Sequence, residues 1–174
     1  GYYYASSVSR KALPPAEECG RLAAEQALRQ VGSRKIATAT LPVIILNQEV
    51  PRVLSGLLEA MDAANIQQQR SFLAEKKGQR IASERLTIID DPLLAGGLGS
   101  RLYDGDGFAA RRRTMIEGGV LRDFYVDWYY SRKLGWEPTT GGTTNLVIPP
   151  GNRSVEQIMK DLGRGILITG FIGG

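Results

Sequence analysis

The stretch "RRRTMIEGGVLRDFYVDWY", from Arg111 to Tyr129, carries the clearest signal for the fold of this chain. Two arms rich in β-branched and aromatic residues flank Glu117–Gly119, and a glycine pair between such arms is typical of the tight turn of a β-hairpin. The aromatic residues of Asp123–Tyr130 more often pack as cross-strand pairs than stack on nucleic-acid bases. The stretch therefore predicts a pair of antiparallel strands.

Helical and strand-like segments lie on both sides of this hairpin. Helical patterns cover 14–32 and about 48–65, a short helical turn covers 129–135, and Ser154 with Gln157 has the sequence of a helix capping box. Two strand-like runs are expected to be buried, 40–47 ("TLPVIILN") and 165–174 ("GILITGFIGG"), and two more cover 84–94 and 139–151. Because strands and helices do not alternate regularly, we expect an α+β fold. It would contain a mixed or antiparallel sheet, β-hairpins and several packing helices.

The composition is that of a globular protein, and it limits the possible partners. The chain has 174 residues, of which 43% are hydrophobic and 23% charged, and its net charge is +4. This is the size of one domain, with room for an appendage. Apart from Arg111–Arg113 the basic residues are scattered, so nucleic-acid binding is not expected. No apolar run approaches the roughly 18 residues of a membrane span, so no membrane association is expected.

The single cysteine, Cys19, and the lack of histidine exclude several kinds of site. One cysteine cannot form an internal disulfide, which predicts a reducing, cytoplasmic location. Without histidine the chain cannot form a Cys–His nucleophile pair, nor a zinc site built on imidazoles or on paired thiolates. The chain starts without methionine and stops directly after an apolar run, so we expect it to be a piece of a longer protein.

Other residues could carry chemistry, although each has an ordinary structural explanation. The clusters "GGLGS", "DGDG" and "TTGGTTN" lack the spacing of a P-loop or a dinucleotide-binding loop, so tight turns explain them better. Four acidic residues could converge on a divalent cation, but turn chemistry accounts for each of them: Asp90, Asp91, Asp104 and Asp106. Three hydroxyls could act as nucleophiles only beside a base such as Lys76 or Lys77, and these are Ser71, Ser100 and Thr143.

Residues 71–135 closely resemble the TldD/PmbA family, whose members are also named modulators of DNA gyrase. The matching residues occur in the family's order and spacing, and they are Ser71, Gly78, Asp90-Asp91-Pro92, Ser100, Asp104, Gly107, Gly119-Val120-Leu121 and Arg132-Lys133-Leu134-Gly135. Ser131 stands where the family usually has alanine, and the likeness continues through 141–174 with a Thr-Asn strand, a helix and a last strand. The resemblance implies that 1–37 is the tail of the family's central region. It also implies that 38–174 is the PmbA/TldD C-terminal domain, truncated at its C-terminal end.

Within this family, TldD-type members resemble zinc peptidases that carry the motif His-Glu-x-x-x-His on a helix. The resemblance places that motif on the stretch from Leu57 to Leu73, with Glu59 at or near the glutamate and Leu58 and Ala63 at the histidine positions. Neither leucine nor alanine has a lone pair to donate to zinc. The resemblance therefore implies a metal-free, PmbA-type copy with no catalytic or metal-binding residue in this chain. The further zinc ligand of TldD-type members would lie beyond the end of the chain.

The function implied by the resemblance is that of a non-catalytic subunit in a cytosolic TldD/PmbA peptidase complex. That complex would degrade or process small, unfolded peptides. The partner would be a TldD-type paralogue, which alone would hold zinc, or a second copy of the chain. Two alternatives stay open: an independently active metallopeptidase with ligands outside this segment, and a regulator associated with DNA gyrase. The sequence does not indicate which residues bind substrate.

Overall fold

The chain forms five α-helices and two sheets in a computed structural model that describes residues 1–171. The helices are α1 (Ala16–Leu28), α2 (Val50–Ala60), α3 (Ala63–Gln67), α4 (Trp128–Leu134) and α5 (Val155–Leu162). The strands are β1 (Val43–Ile45), β2 (Ile88–Asp90), β3 (Arg113–Glu117), β4 (Val120–Leu121), β5 (Leu146–Val147) and β6 (Ile166–Ile168). Short 3-10 turns cover Arg10–Ala12 and Asn47–Glu49. One sheet is antiparallel and the other is parallel, and helices lie between some of the strands along the sequence. The predicted α+β fold is therefore confirmed.

The predicted hairpin forms part of the larger sheet. β3 and β4 pair antiparallel with Glu117 opposite Val120, and both residues of the turn have positive φ, 52° at Gly118 and 78° at Gly119. Positive φ at both central positions is the signature of a type I′ turn, whose twist matches that of two antiparallel strands. β3 also pairs with β2, and β2 with β5, so the strand order is β4-β3-β2-β5. The second arm is shorter than predicted, because β4 ends at Leu121.

The hydrophobic core joins this sheet to α2, α3 and the segment after the hairpin. Most of the largest fully buried side chains are apolar, and these include Met61, Leu73, Ile88, Met115, Ile116, Leu121 and Phe124. Leu54, Leu57 and Leu58 of α2 are partly buried and pack against this cluster. Full burial of one such side chain contributes about 1.5–3 kcal/mol. The cluster therefore fixes the end of α2 and the start of α3 against the sheet.

The segment predicted as one helix over about 48–65 is two helices joined by a bend. Asp62 forms a parallel bridge with Tyr125. The N–H of Ala63 donates to the Tyr125 carbonyl (2.8 Å), and the N–H of Tyr125 donates to the Met61 carbonyl (2.9 Å). The Ala63 N–H is thus taken from the hydrogen-bond ladder that would have continued α2. The Asp62 side chain accepts a hydrogen bond from the N–H of Ala64 (2.7 Å) and so caps α3.

The smaller sheet is a parallel pair in which Val43 of β1 lies opposite Ile166 of β6. Both strands were predicted to be buried, and that prediction is wrong, since Val43 is 48% and Leu167 37% exposed. An apolar run indicates a strand whose side chains are covered by other parts of a protein. Within residues 1–171, the side chains of β1 and β6 are only partly covered. The last part of the predicted strand, 172–174, lies outside the described residues.

Most of the helix ends predicted from local sequence agree with the structure. α4 ends at Gly135 in the left-handed region, as predicted, and α5 begins with the capping box of Ser154 and Gln157. α1 ends before the predicted Gly32, because the N–H groups of Gln30 and Val31 bond to carbonyls three residues back and form tighter turns. No helix within residues 1–171 combines the length and the apolar character needed to cross a membrane.

Candidate functional site at the junction of α2 and α3

The three residues assigned to the degenerate motif lie where α2 ends and α3 begins. Leu58 is half-buried and packs against the core, the Glu59 side chain is exposed, and Ala63 is buried at 1% exposure. A zinc site needs several donor side chains that point at one open position. Here the chain bends between positions 58 and 63, and position 63 lies inside the core. The residues present at these positions do not fit a zinc ion.

Hydrogen bonds hold this junction in place and use the hydroxyl that could have been a nucleophile. The Ser71 hydroxyl donates to the Ala60 carbonyl at the end of α2 and accepts from the N–H of Leu73 (3.0 Å). Asn65 donates from its side chain to the Glu59 carbonyl (2.8 Å). Lys77, a candidate base, pairs instead with Asp123 (3.0 Å). Ser71 is therefore a structural residue that ties the loop after α3 to α2.

A shallow groove of about 250 Å³ lies beside Glu59. Its walls are formed by α2, Asn65 and the loop residues Arg70 and Phe72. The groove offers one carboxylate, one guanidinium and an exposed aromatic ring, so it has polar groups but neither a ligand set for a metal nor an activated nucleophile. Sequence reasoning missed Arg70 and Phe72, because two such residues in a polar stretch indicate only a loop.

The four aspartates considered for a cation each bind backbone groups instead. Asp90, 1% exposed, accepts from the N–H of Thr144 (3.1 Å), and Asp91 accepts from the N–H of Leu93 (3.0 Å). Asp104 accepts from the N–H groups of Asp106 (3.0 Å) and Phe108 (2.9 Å). Asp106 accepts from the N–H of Trp128 (3.1 Å). In the part of the chain that the structure describes, no group of three or more acidic or cysteine side chains could hold a metal ion.

The cluster "GGLGS" forms a turn that packs against the segment leading into β5. The side-chain oxygen of Asn145 accepts from the N–H of Gly99 (2.8 Å), and its amide donates to the Asp91 carbonyl (2.8 Å) and to the Ser100 hydroxyl (2.9 Å). A Cβ on Gly97 would lie 2.6 Å from that same oxygen. These glycines therefore allow a close approach of two segments of the chain, which is a structural role.

The arginine triplet does not form a continuous basic surface. Arg113 is turned inward, with its side chain 12% exposed, and it donates to Thr140 (2.7 Å) and to the Phe124 carbonyl (3.1 Å). Arg112 pairs with Asp91 at 3.4 Å. Two of the three guanidinium groups thus interact with other groups of the chain. Such interactions stabilise the fold, whereas a phosphate-binding surface needs several arginines free to contact phosphates.

Arg113 also lies over the ring of Tyr125, with its guanidinium carbon 5.2 Å from the ring centre. The Tyr125 hydroxyl is buried and has no hydrogen-bond partner among residues 1–171. Burial raises the pKa of Tyr125 well above its usual value, and the nearby negative charge of Asp90 raises this pKa further. The Tyr125 hydroxyl and the Asp90 carboxylate are not joined by a hydrogen bond of ordinary geometry. The hydroxyl therefore loses its hydrogen bonds to water on burial and gains none in return.

Comparison with known proteins identifies the class to which this fold belongs. Residues 38–174 match the model of the PmbA/TldA metallopeptidase C-terminal domain. Metalloprotease PmbA of Escherichia coli O157:H7 is 30% identical over 174 residues, which cover 99% of this chain and 39% of the relative. The PmbA homologue of Buchnera aphidicola subsp. Acyrthosiphon pisum is 32% identical over 159 residues, covering 90% of this chain and 36% of the relative.

A solved structure agrees with this class. The crystal structure of a Bacteroides thetaiotaomicron protein, described as a proposed modulator of DNA gyrase, superposes with a TM-score of 0.93 at 34% identity. The superposition covers 99% of this chain and 39% of that protein. The chain therefore contains the C-terminal domain of a metallopeptidase family. The family is PmbA/TldD, and this chain belongs to it. The chain spans about two fifths of the length of the relatives it matches.

Proposed function

We propose that this chain belongs to a metal-free, PmbA-type subunit that assembles with a zinc-bearing TldD-type relative, and that the assembly hydrolyses small, unfolded peptides. The observation that carries the proposal is the junction of α2 and α3. Leu58 and Ala63 stand where the resemblance implies zinc ligands, Ala63 is buried, and its N–H is bonded to Tyr125. These positions therefore provide no ligands for a metal ion that would activate a water molecule.

The exposed surface supports the part of the proposal that concerns assembly. The chain exposes 12523 Å², whereas a compact monomer of its mass, 19.0 kDa, exposes roughly 8,400 Å². Large apolar residues contribute to this excess on α1, α5 and the small parallel sheet, among them Leu28, Val43, Val155, Met159 and Leu167. Apolar surface of this kind is normally covered by further protein, either the rest of a longer chain or a partner.

The test is peptide hydrolysis by the protein alone, by its TldD-type relative alone and by an equimolar mixture, with zinc measured on each sample. An unstructured fluorogenic peptide serves as substrate, and a chelator provides the metal-free baseline. We expect zinc and chelator-sensitive hydrolysis only where the TldD-type relative is present. Replacing the motif glutamate of that relative with glutamine should abolish turnover by the mixture without preventing assembly.

Two results would overturn the proposal. Zinc-dependent hydrolysis by the protein alone would show that it is an independently active peptidase. Failure of the two proteins to associate, as measured by analytical ultracentrifugation, would remove the proposed partner.

A further inference from the structure

A second, larger groove of about 540 Å³ lies beside the segment that follows the hairpin. This volume is within the range of about 300–1,000 Å³ that is typical of ligand pockets. Two stacked aromatic rings contribute to its wall: Phe124 is 2% exposed, and Trp136 packs on it with ring centres 5.4 Å apart and planes at 20°. Trp136 is itself partly exposed. The groove, called here the Trp136 groove, therefore offers an ordered aromatic surface to a ligand.

The rim of the Trp136 groove carries three carboxylates and one ammonium group, from Glu75, Asp123, Glu137 and Lys77. Asp123 is compensated, since one oxygen lies 3.0 Å from Lys77 Nζ and the other lies 3.3 Å from a guanidinium nitrogen of Arg113. Glu75 and Glu137 are exposed, and neither has an ion-pair partner among residues 1–171. The groove thus combines an apolar wall with two uncompensated negative charges.

We propose that the Trp136 groove binds the side chain of a lysine or arginine within an extended peptide. Lysine and arginine are the side chains that join a long apolar stem to a positive charge. The stem would contact Trp136, and the charge would be attracted both by the ring and by Glu75 and Glu137. An acidic side chain would be repelled, and a purely apolar one would leave the carboxylates uncompensated. That the ligand is a peptide rests on the proposed function, whereas its positive charge follows from the groove.

Fluorescence of Trp136 measures this binding directly. The chain has two tryptophans, and Trp128 is 52% exposed and does not line the groove. In the full chain carrying Trp128→Phe, emission therefore reports on Trp136. The probe is acetyl-Ala-Arg-Ala-amide, with matched peptides that carry Gln, Leu or Glu in place of Arg. We expect a saturable change with the Arg peptide, at least about fivefold weaker binding of the Gln and Leu peptides, and no binding of the Glu peptide.

A matched pair of double variants separates the groove from general electrostatics. Glu75→Gln with Glu137→Gln should weaken binding of the Arg peptide about tenfold. Glu17→Gln with Glu84→Gln changes the net charge equally at two exposed positions outside the groove, and it should leave the affinity unchanged. All four substitutions are on exposed residues, and far-UV circular dichroism confirms that each variant is folded.

Three results would overturn the inference. The Arg and Leu peptides could bind equally, the two double variants could have the same affinity, or Trp136 emission could depend on protein concentration without any peptide. The last result would mean that a second copy of the chain occupies the groove. None of these bears on zinc content or on hydrolysis by the mixture, so the inference and the proposed function can fail independently.

Discussion

Replacing Gly119 with alanine should destabilise the fold far more than the same change at Gly118, although both residues form the hairpin turn. Both have positive φ, so an alanine at either position costs about 1 kcal/mol of conformational strain. At Gly118 the new Cβ would be 3.6 Å from the Glu84 carbonyl oxygen, which is an ordinary contact. At Gly119 it would be 2.3 Å from the Ala82 carbonyl oxygen and 2.6 Å from that of Ser83, and neither backbone atom can rotate away.

The backbone of Gly119 also makes hydrogen bonds that a shift of this segment would break. Its carbonyl accepts from the N–H of Ile81 (2.8 Å), and its N–H donates to the Leu86 carbonyl (2.8 Å). Overpacking costs about 1–3 kcal/mol, and each lost hydrogen bond costs about 1 kcal/mol. We therefore expect Gly119→Ala to lower the free energy of unfolding by at least about 3 kcal/mol, against about 1 kcal/mol for Gly118→Ala.

Urea unfolding followed by circular dichroism measures both values on the same protein preparation. The Gly118→Ala variant is the control for the conformational cost, because it shares the turn but not the clash. Equal losses in the two variants, or a loss below about 1 kcal/mol for Gly119→Ala, would refute the close packing of residues 82–83 on the turn.

Three further substitutions test the site and the core. Glu59→Gln should leave peptide turnover by the assembled complex unchanged, because no metal-bound water is present for the carboxylate to deprotonate. Leu58→His combined with Ala63→His should not create a zinc site, and it should cost about 2–4 kcal/mol of stability, since Ala63 is buried. Tyr125→Phe should raise stability by about 1 kcal/mol by removing an unpaired buried hydroxyl. Because the pKa of Tyr125 is raised in the folded state above its usual 10.0, the unfolded chain ionises first, so stability should fall above about pH 10, and less steeply in this variant.

Each of these expectations has a control and a contrary outcome. For Glu59→Gln, turnover is compared at equal amounts of assembled complex, and lost activity with intact assembly would contradict the metal-free interpretation. For the double histidine variant, Leu58→His alone is the control, and one bound zinc at unchanged stability would show that position 63 is accessible. For Tyr125→Phe, the free energy of unfolding is measured from pH 7 to pH 11, and a lower stability at pH 7 would show that the hydroxyl has a favourable partner.

The features that the sequence predicted correctly are those determined by neighbouring residues. The turn of the hairpin needs Gly118 and Gly119, the end of α4 needs Gly135, and the start of α5 needs Ser154 with Gln157. Each signal lies within a few residues of the structure that it determines. The resemblance to a family, which rests on many such short segments in order, was correct for the same reason.

The features that were missed depend on residues far apart in the sequence. The bend between α2 and α3 exists because Tyr125 pairs with the backbone around Asp62, and no local pattern at 48–65 indicates this. The exposure of β1 and β6 depends on what covers the small sheet, which an apolar run cannot show. At the candidate site, the positions of Leu58, Glu59 and Ala63 followed from the resemblance. The burial of Ala63 and the nearby groove with Arg70 and Phe72 required the structure.

The zinc content of the purified protein tests the central claim most directly. The protein is prepared with excess zinc, dialysed against zinc-free buffer and analysed by inductively coupled plasma mass spectrometry, alongside its TldD-type relative. The account predicts zinc at the level of a metal-free control protein in this sample, and bound zinc in the relative. One tightly bound zinc per chain in the protein alone would contradict the account.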